Sequence, residues 1–296
     1  MSRLLSLTRI AVFLFIFVTD ALGWGFWAHR EIHRYAIQSL PEEMQPFFTA
    51  FADTIIARSV EADRRRNSDP TEEFHHFIDI DRYGSYPFRE LPRQYEEAVA
   101  KFGKTKVDSN GTAPWRIADF MKKLTDAMKR KDKADILFYA SNIGHYVADI
   151  HVPLHTTENY DGQLTNQKGL HARWESRIPE MFGKTFNLQA QPATYISDPL
   201  NFAFEVVLES YAKVDSVLNL DLKAREGIPE EELFKVTQRR GRTEYQLSDR
   251  YFQQYHELLN GMVENQMQRS IKAVASCWYT AWVDAGKPDL SEISLR

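Results

Sequence analysis

Two histidine–carboxylate pairs limit this chain more than any other feature: His145 with Asp149, and His171 with Glu175. Residues four apart project from one face of a helix. Two such pairs facing each other would supply a helix bundle with several nitrogen and oxygen ligands, as in multinuclear carboxylate–histidine sites. Between the pairs, Pro153 ends the first helix and leaves His155 just beyond it. One pair alone reads as a solvated helix pair. Two pairs joined by a Pro-terminated histidine point instead to metal. His151 lies six residues after His145, off that face, and reads as a structural hydrogen-bonding residue.

The rest of the chain agrees with an all-α fold. Arg30 to Leu40 carries Ile32, Tyr35, Ala36 and Leu40 near one face, and Pro41 follows. Ala113-Pro114-Trp115 opens a helix that keeps its period through Ile117, Phe120, Met121, Leu124 and Met128. Ala134 to Ile150 continues the pattern. Ser248 is placed to cap a long final helix running toward Gly286, with a kink expected near Gly261. Alternating β patterns are scarce; Phe77 to Asp81 reads as a short strand or an extended loop, and Tyr83 to Pro92 as loop. No repeat or low-complexity linker divides the chain, so residues 24–296 read as one multi-helix domain.

Composition narrows the chemistry. Of 296 residues, 43% are hydrophobic and 26% charged, with a formal net charge of −4, the make-up of a folded soluble protein. That charge gives no whole-protein case for duplex nucleic acid. The single cysteine, Cys277, excludes an intramolecular disulfide and Cys-based zinc fingers, so a metal must be held mainly by His, Asp and Glu.

Residues 1–23 read as a cleaved signal peptide. Arg3 and Arg9 precede the apolar run Ile10 to Val18, and Ala21-Leu22-Gly23 offers small residues for cleavage. The run is short of the ~20 residues a membrane span needs. A secreted chain without disulfides fits a bacterial periplasmic or cell-surface home better than eukaryotic export. Asn110-Gly111-Thr112 matches a glycosylation pattern but reads only as an exposed loop.

Further candidates lie upstream. Phe74 to Asp79 places His75 and His76 beside an extended segment. Asp63 precedes Arg64-Arg65-Arg66, a run whose plain reading is a solvated face. Trp24 to His29 adds a histidine next to the cleavage site.

Together these residues resemble the superfamily of zinc-dependent phospholipase C and the S1/P1 nucleases. The resemblance rests on Trp24-Gly25-x3-His29, Asp63, His76-Phe77-Ile78-Asp79, His145-x3-Asp149-x5-His155 and His171-x3-Glu175. It spans residues 24–175, a little over half the mature chain. It implies an all-α domain holding three Zn²⁺ ions. Asp63, His76 and His145 would hold one ion; Trp24, through its α-amino and carbonyl groups, and His29 a second. Asp149 would bridge these two, and His155, His171 and Glu175 would hold the third. Only cleavage before Trp24 would free the amino ligand. His33 and His75 are the less favoured neighbours of His29 and His76.

The implied activity is hydrolysis of phosphate diesters. A water shared by two zinc ions would give the hydroxide nucleophile near neutral pH. Asp63 would orient or deprotonate that water. Glu175 follows the phospholipase pattern, since the nucleases usually have Asp there, and tilts the choice toward a phospholipase C-like enzyme with a phospholipid substrate. Asp63-x-x-Arg66 resembles the nucleases, whose Arg contacts the phosphate, while Phe77 and Asp79 would stack on and hydrogen-bond a base. The alternative substrate is therefore single-stranded nucleic acid, cut to 5′-mononucleotides. A secreted, non-catalytic zinc-binding module is the remote alternative. Residues 183–296 carry no motif tied to chemistry. Tyr195, Tyr211, Tyr251 and Trp278 read as core more readily than as cleft, and Arg239-Arg240-Gly241-Arg242 as a solvated loop more readily than an anion contact.

Overall fold

The computed structural model describes residues 24–239 and 242–294. The signal peptide expected over residues 1–23 lies outside them. Six longer helices carry the architecture: α1 Phe26–Gln38, α2 Ala113–Arg130, α3 Lys133–Asp149, α4 Pro199–Tyr211, α5 Asp249–Leu259 and α6 Met262–Asp284. Shorter helical turns fill the connections. No described helix is long and apolar enough to cross a membrane.

Helix α3 is the centre. Asp132 caps it by accepting a hydrogen bond from the Asp135 amide at 3.1 Å. From Ala140 to Asp149 every residue is buried. A helix apolar on all sides belongs in a core. The polar members of this stretch, Ser141, Asn142, His145 and Asp149, are therefore residues that need partners inside the protein. Helices α1, α2 and α6 pack against α3. Trp278 of α6 donates from its indole to the Ala140 carbonyl at 2.9 Å. Gly144 lets α1 approach: a Cβ there would meet His33 Nε2 at 2.3 Å. His33 is spent on structure: its Nδ1 faces the His29 carbonyl at 2.8 Å and its Nε2 the Ser141 carbonyl at 3.1 Å, and its one N–H donates to one of them.

Several expectations are met and several corrected. Ser248 caps α5 through the Tyr251 amide. The expected long C-terminal helix is two helices, α5 and α6, separated by Asn260 and Gly261, both at positive φ. Asn110-Gly111-Thr112 is not an exposed loop: Asn110 and Thr112 are 4% and 8% exposed. At Gly111, φ is +89° and a Cβ would meet the Phe77 carbonyl oxygen at 2.2 Å, so only glycine fits. The segment after His76 is a loop ending in a 3-10 turn, Ile80–Tyr83, rather than a strand. One β-hairpin, β1 Phe234–Arg239 with β2 Arg242–Leu247, is added to the helical fold; Arg240 and Gly241, the middle of the run read as a loop, lie outside the described residues. Its signal was the alternation Phe234-x-Val236 and Tyr245-x-Leu247, short enough to be masked by the arginines between. Tyr251 and Trp278 are core, whereas Tyr195 is exposed.

Candidate metal centre

The expected ligand residues converge from six chain segments, within three overlapping groups of potential metal donors: His29, His145 and Asp149; Asp63, His76 and His145; His155, His171 and Glu175. Asp149 sits at the junction. Its Oδ1 faces His29 Nε2 at 3.3 Å, and its Oδ2 faces His76 Nδ1 at 2.9 Å and His145 Nε2 at 3.2 Å. Asp63 Oδ1 lies 3.8 Å from His76 Nδ1 and 3.7 Å from His145 Nε2. Glu175 Oε2 faces His171 Nε2 at 2.8 Å and His155 Nε2 at 3.3 Å.

Backbone carbonyls set the tautomers. His145 Nδ1 donates to the Ser59 carbonyl and His155 Nδ1 to the His76 carbonyl, each at 2.7 Å. In each ring the remaining Nε2 lone pair points into the cluster. His145 thus has one free lone pair and can serve only one ion, although it stands near two donor groups. The two-oxygen carboxylate of Asp149 is the group able to join them. His76 Nδ1 and His145 Nε2 stand 3.0 Å apart, and the Nδ1 atoms of His29 and of His171 are buried without hydrogen-bond partners. Such a crowd of donors suits a cation: ligands about 2.1 Å from a tetrahedral ion stand ~3.4 Å from one another. Three buried carboxylates in one centre also call for positive charge beyond Arg66. The residues present therefore fit divalent metal.

The electrostatics agree. Burial, with His145 nearby, lowers His29 to about 3, and burial lowers His171 to about 4, so both are neutral at pH 7, as metal binding requires. Burial acts downward on His145 too, but Asp149 and Asp63 outweigh it and push it up to about 9. That value lies above the unfolded value of 6.5, so this group's stabilising contribution is full below pH 6.5 and lost as pH rises through 9. The chelated protein is expected to lose melting temperature between pH 7 and 9.5. The metal-loaded protein, with the His145 lone pair engaged, is expected to change much less across that window. Parallel melting curves with and without chelator check this, and identical slopes would reject it.

Trp24 and Gly25 are locked beside the centre. Trp24 is fully buried, donates from its indole to the Ala148 carbonyl at 2.7 Å, and packs on Trp174 at 5.1 Å. The Gly25 amide donates to the Glu175 carbonyl at 3.1 Å. The start of the domain is therefore held between the segments that carry Asp149 and Glu175.

Two features escaped the sequence. Arg64-Arg65-Arg66 is not a solvated face: only Arg64 is exposed, and Arg66 Nη1 lies 3.6 Å from Asp63 Oδ1. Arg65 grips Glu72 with two hydrogen bonds of 3.2 and 3.1 Å. Tyr146 donates to the same carboxylate, whose Oε1 lies 3.6 Å from His76 Nε2. Burial opposes ionisation of Glu72, yet His76, Arg65 and Tyr146 hold its carboxyl well below the usual range. Glu72 thus backs His76 on the edge away from Asp149. His151 and His75 stay outside the donor groups; His151 Nδ1 donates to the Val147 carbonyl at 2.7 Å, as its off-face position suggests.

A slot of about 130 Å³ opens beside His76, His155 and His171. Phe77 and Tyr160 supply rings to it, Leu154 an apolar wall, and Arg66, Glu73 and Asp79 polar groups. Backbone bonds from Ile78 N to His155 O (2.9 Å) and Asp79 N to Asn110 O (2.7 Å) pin the loop that carries Phe77 and Asp79. Burial, with Asp81 and Glu158 opposing Arg82, pushes Asp79 up to about 7.

The family model of the S1/P1 nucleases matches residues 24–270. No curated protein matches the chain in sequence. Among solved structures, the alpha toxin from Clostridium absonum is similar, with a TM-score of 0.51 and 13% identity, covering 92% of this chain and 67% of the toxin. At that identity the likeness shows the fold. The match over most of the chain places the sequence itself: it belongs to the S1/P1 nuclease family of phosphodiester hydrolases.

Proposed function

We propose that the protein is a secreted zinc-dependent phosphodiesterase that cuts single-stranded nucleic acid. The observation that carries this is the small slot beside the metal donors. Its 130 Å³ suits one flat ring and is too small for a pair of acyl chains. Phe77 and Tyr160 would stack on an unpaired base, and the Asp79 carboxyl would hydrogen-bond its edge. Arg66, at the same slot and close to Asp63, would hold the phosphate. The family match supports this reading over the phospholipase, for which Glu175 is the main evidence, because Asp and Glu are both competent zinc ligands.

Trp24, His29, Asp63, His76, His145, Asp149, His155, His171 and Glu175 would hold three Zn²⁺ ions in the arrangement set out above. Zinc held there would supply Lewis acidity toward a phosphoryl oxygen and would lower the pKa of bound water. Asp63, with Oδ1 3.6 Å from Arg66 Nη1 and facing His76 and His145, would orient or deprotonate the attacking water. Glu72 would hold His76 in the orientation that turns Nδ1 to the metal, a positioning role. Glu72→Gln is expected to weaken zinc affinity by ~10–100-fold, read by competition with a chelator, while the far-UV spectrum stays unchanged. Unaltered affinity would remove Glu72 from the site. The family match begins at residue 24, where the expected signal peptide ends, which supports export of a chain starting at Trp24.

The test is a side-by-side assay on zinc-loaded protein starting at Trp24. Phosphatidylcholine vesicles are read as phosphocholine, and single-stranded DNA and RNA as 5′-mononucleotides. Chelator-sensitive turnover of nucleic acid, reduced in Phe77→Ala and Asp79→Asn, is expected. Turnover of lipid alone would establish the phospholipase instead. Full zinc with no turnover of either would leave a non-catalytic module.

A further inference from the structure

A cavity of about 690 Å³ lies between α4 and α6 and shares no lining residue with the slot. His151 and Gln266 line it, and both are buried, 2% and 1% exposed. The His151 Nδ1 proton is spent on the Val147 carbonyl. Burial, with Arg269 and Lys213 nearby, keeps the ring neutral, so Nε2 carries a lone pair. No described residue donates to that lone pair. Gln266 spends its amide N–H groups on the His151 carbonyl and Ser210 Oγ, and its Oε1 is buried without a donor. Two acceptors without donors at one cavity need O–H or N–H groups from outside the chain.

The charges there narrow the choice. Lys213, Arg269 and Lys272 line the cavity together with Glu205 and Glu209. Arg269 is paired with Glu209, and Glu205 Oε1 accepts from Asn201 at 2.7 Å. Lys213 donates to the Glu209 carbonyl and to no carboxylate, and Lys272 has no partner among the described residues. Two ammonium groups are therefore free to hold an anion, and the two carboxylates beside them favour a single negative charge over a double one. The side-chain amides of Gln191 and Asn265 make no bond to described residues, and Phe202 adds an apolar wall. Convergent polar groups beside one apolar wall orient a small polar ring.

We propose that this cavity binds a sugar acid, with a hydroxyl donating to His151 Nε2 and the single carboxylate held by Lys213 and Lys272. The free amides of Gln191 and Asn265 would take further hydroxyls, and Phe202 the apolar face of the ring. The site goes beyond the phosphodiesterase reading and does not depend on it, since no residue of the slot takes part.

The test titrates glucuronate, glucose and glucose 6-phosphate into zinc-loaded protein carrying ¹⁵N-histidine. Glucuronate is expected to move the His151 Nε2 resonance and to saturate by ~10 mM. Glucose, which has the hydroxyls without the charge, should bind at least about tenfold more weakly. Lys213→Met should raise the glucuronate Kd about tenfold, and Lys272→Met, a substitution at an exposed position, should weaken it in the same direction, with zinc content unchanged in both. No movement of His151 with glucuronate, equal affinity for glucose, tighter binding of glucose 6-phosphate, or glucuronate binding that survives both lysine variants would overturn the proposal. Turnover of nucleic acid or lipid is not read, so failure of the phosphodiesterase reading leaves this result unaffected.

Discussion

Asp149→Asn is expected to cut bound zinc from three ions to one and activity by at least ~10²–10³-fold, the scale seen when one group stabilising transition-state charge is removed. Asp149 is fully buried, and its two oxygens face different histidines, His29 on one side and His76 with His145 on the other. An amide keeps the shape but presents N–H donors toward one of those sets and removes the charge. Both ions proposed to share Asp149 should then be lost. The group His155, His171 and Glu175 does not include Asp149 and should keep its ion, so a residual content of one doubles as a check that the variant is folded. Zinc analysis with activity on single-stranded DNA reads both effects. Full zinc and normal turnover would reject the bridge.

Adding one residue before Trp24, or blocking removal of residues 1–23, is expected to lower zinc from three ions to two and to reduce activity by a similar factor. A free α-amino group at Trp24 is one of the proposed ligands, and the surroundings leave it little freedom to be replaced. The Trp24 indole is fastened to Ala148, next to Asp149, and Gly25 to Glu175. A Cβ on Gly25 would meet Ser176 atoms at 2.9–3.0 Å, so an added segment has to leave through a crowded junction. Zinc content of the extended and the processed chain, compared by metal analysis, decides the matter. Three ions in the extended chain would remove the amino ligand from the site and leave Trp24 a packing residue.

How much of this was legible in the sequence follows from the range of each interaction. The i,i+4 pairs His145/Asp149 and His171/Glu175 are local: once the segment is helical, the spacing alone puts both side chains on one face. The end of the helix before Pro153, the cap at Ser248 and the off-face position of His151 are local in the same sense, and each is present in the fold. What the run Arg64-Arg65-Arg66 does was not local. Arg65 reaches Glu72 and Asn142 only because helix α3 lies against that turn, and a sequence window sees three charges with no reason to be buried. The same holds for Tyr160, which joins Phe77 in the slot across 83 residues of chain. The hairpin was missed for a different reason: two six-residue strands with alternating polar positions leave a weak signal in a helical chain.

The sequence by itself therefore determined the helical class, the order and spacing of the candidate donor residues, and that any metal would be held by nitrogen and oxygen, because helix periodicity and ligand chemistry act over a few residues. Only the tertiary structure decided that Asp149 faces two histidine sets, that Glu72 backs His76, and that the opening beside the candidate donors is a narrow aromatic slot. Those are contacts between segments far apart in the chain. They come from packing helices around α3, where burial leaves each polar group only the partners that the neighbouring elements bring to it.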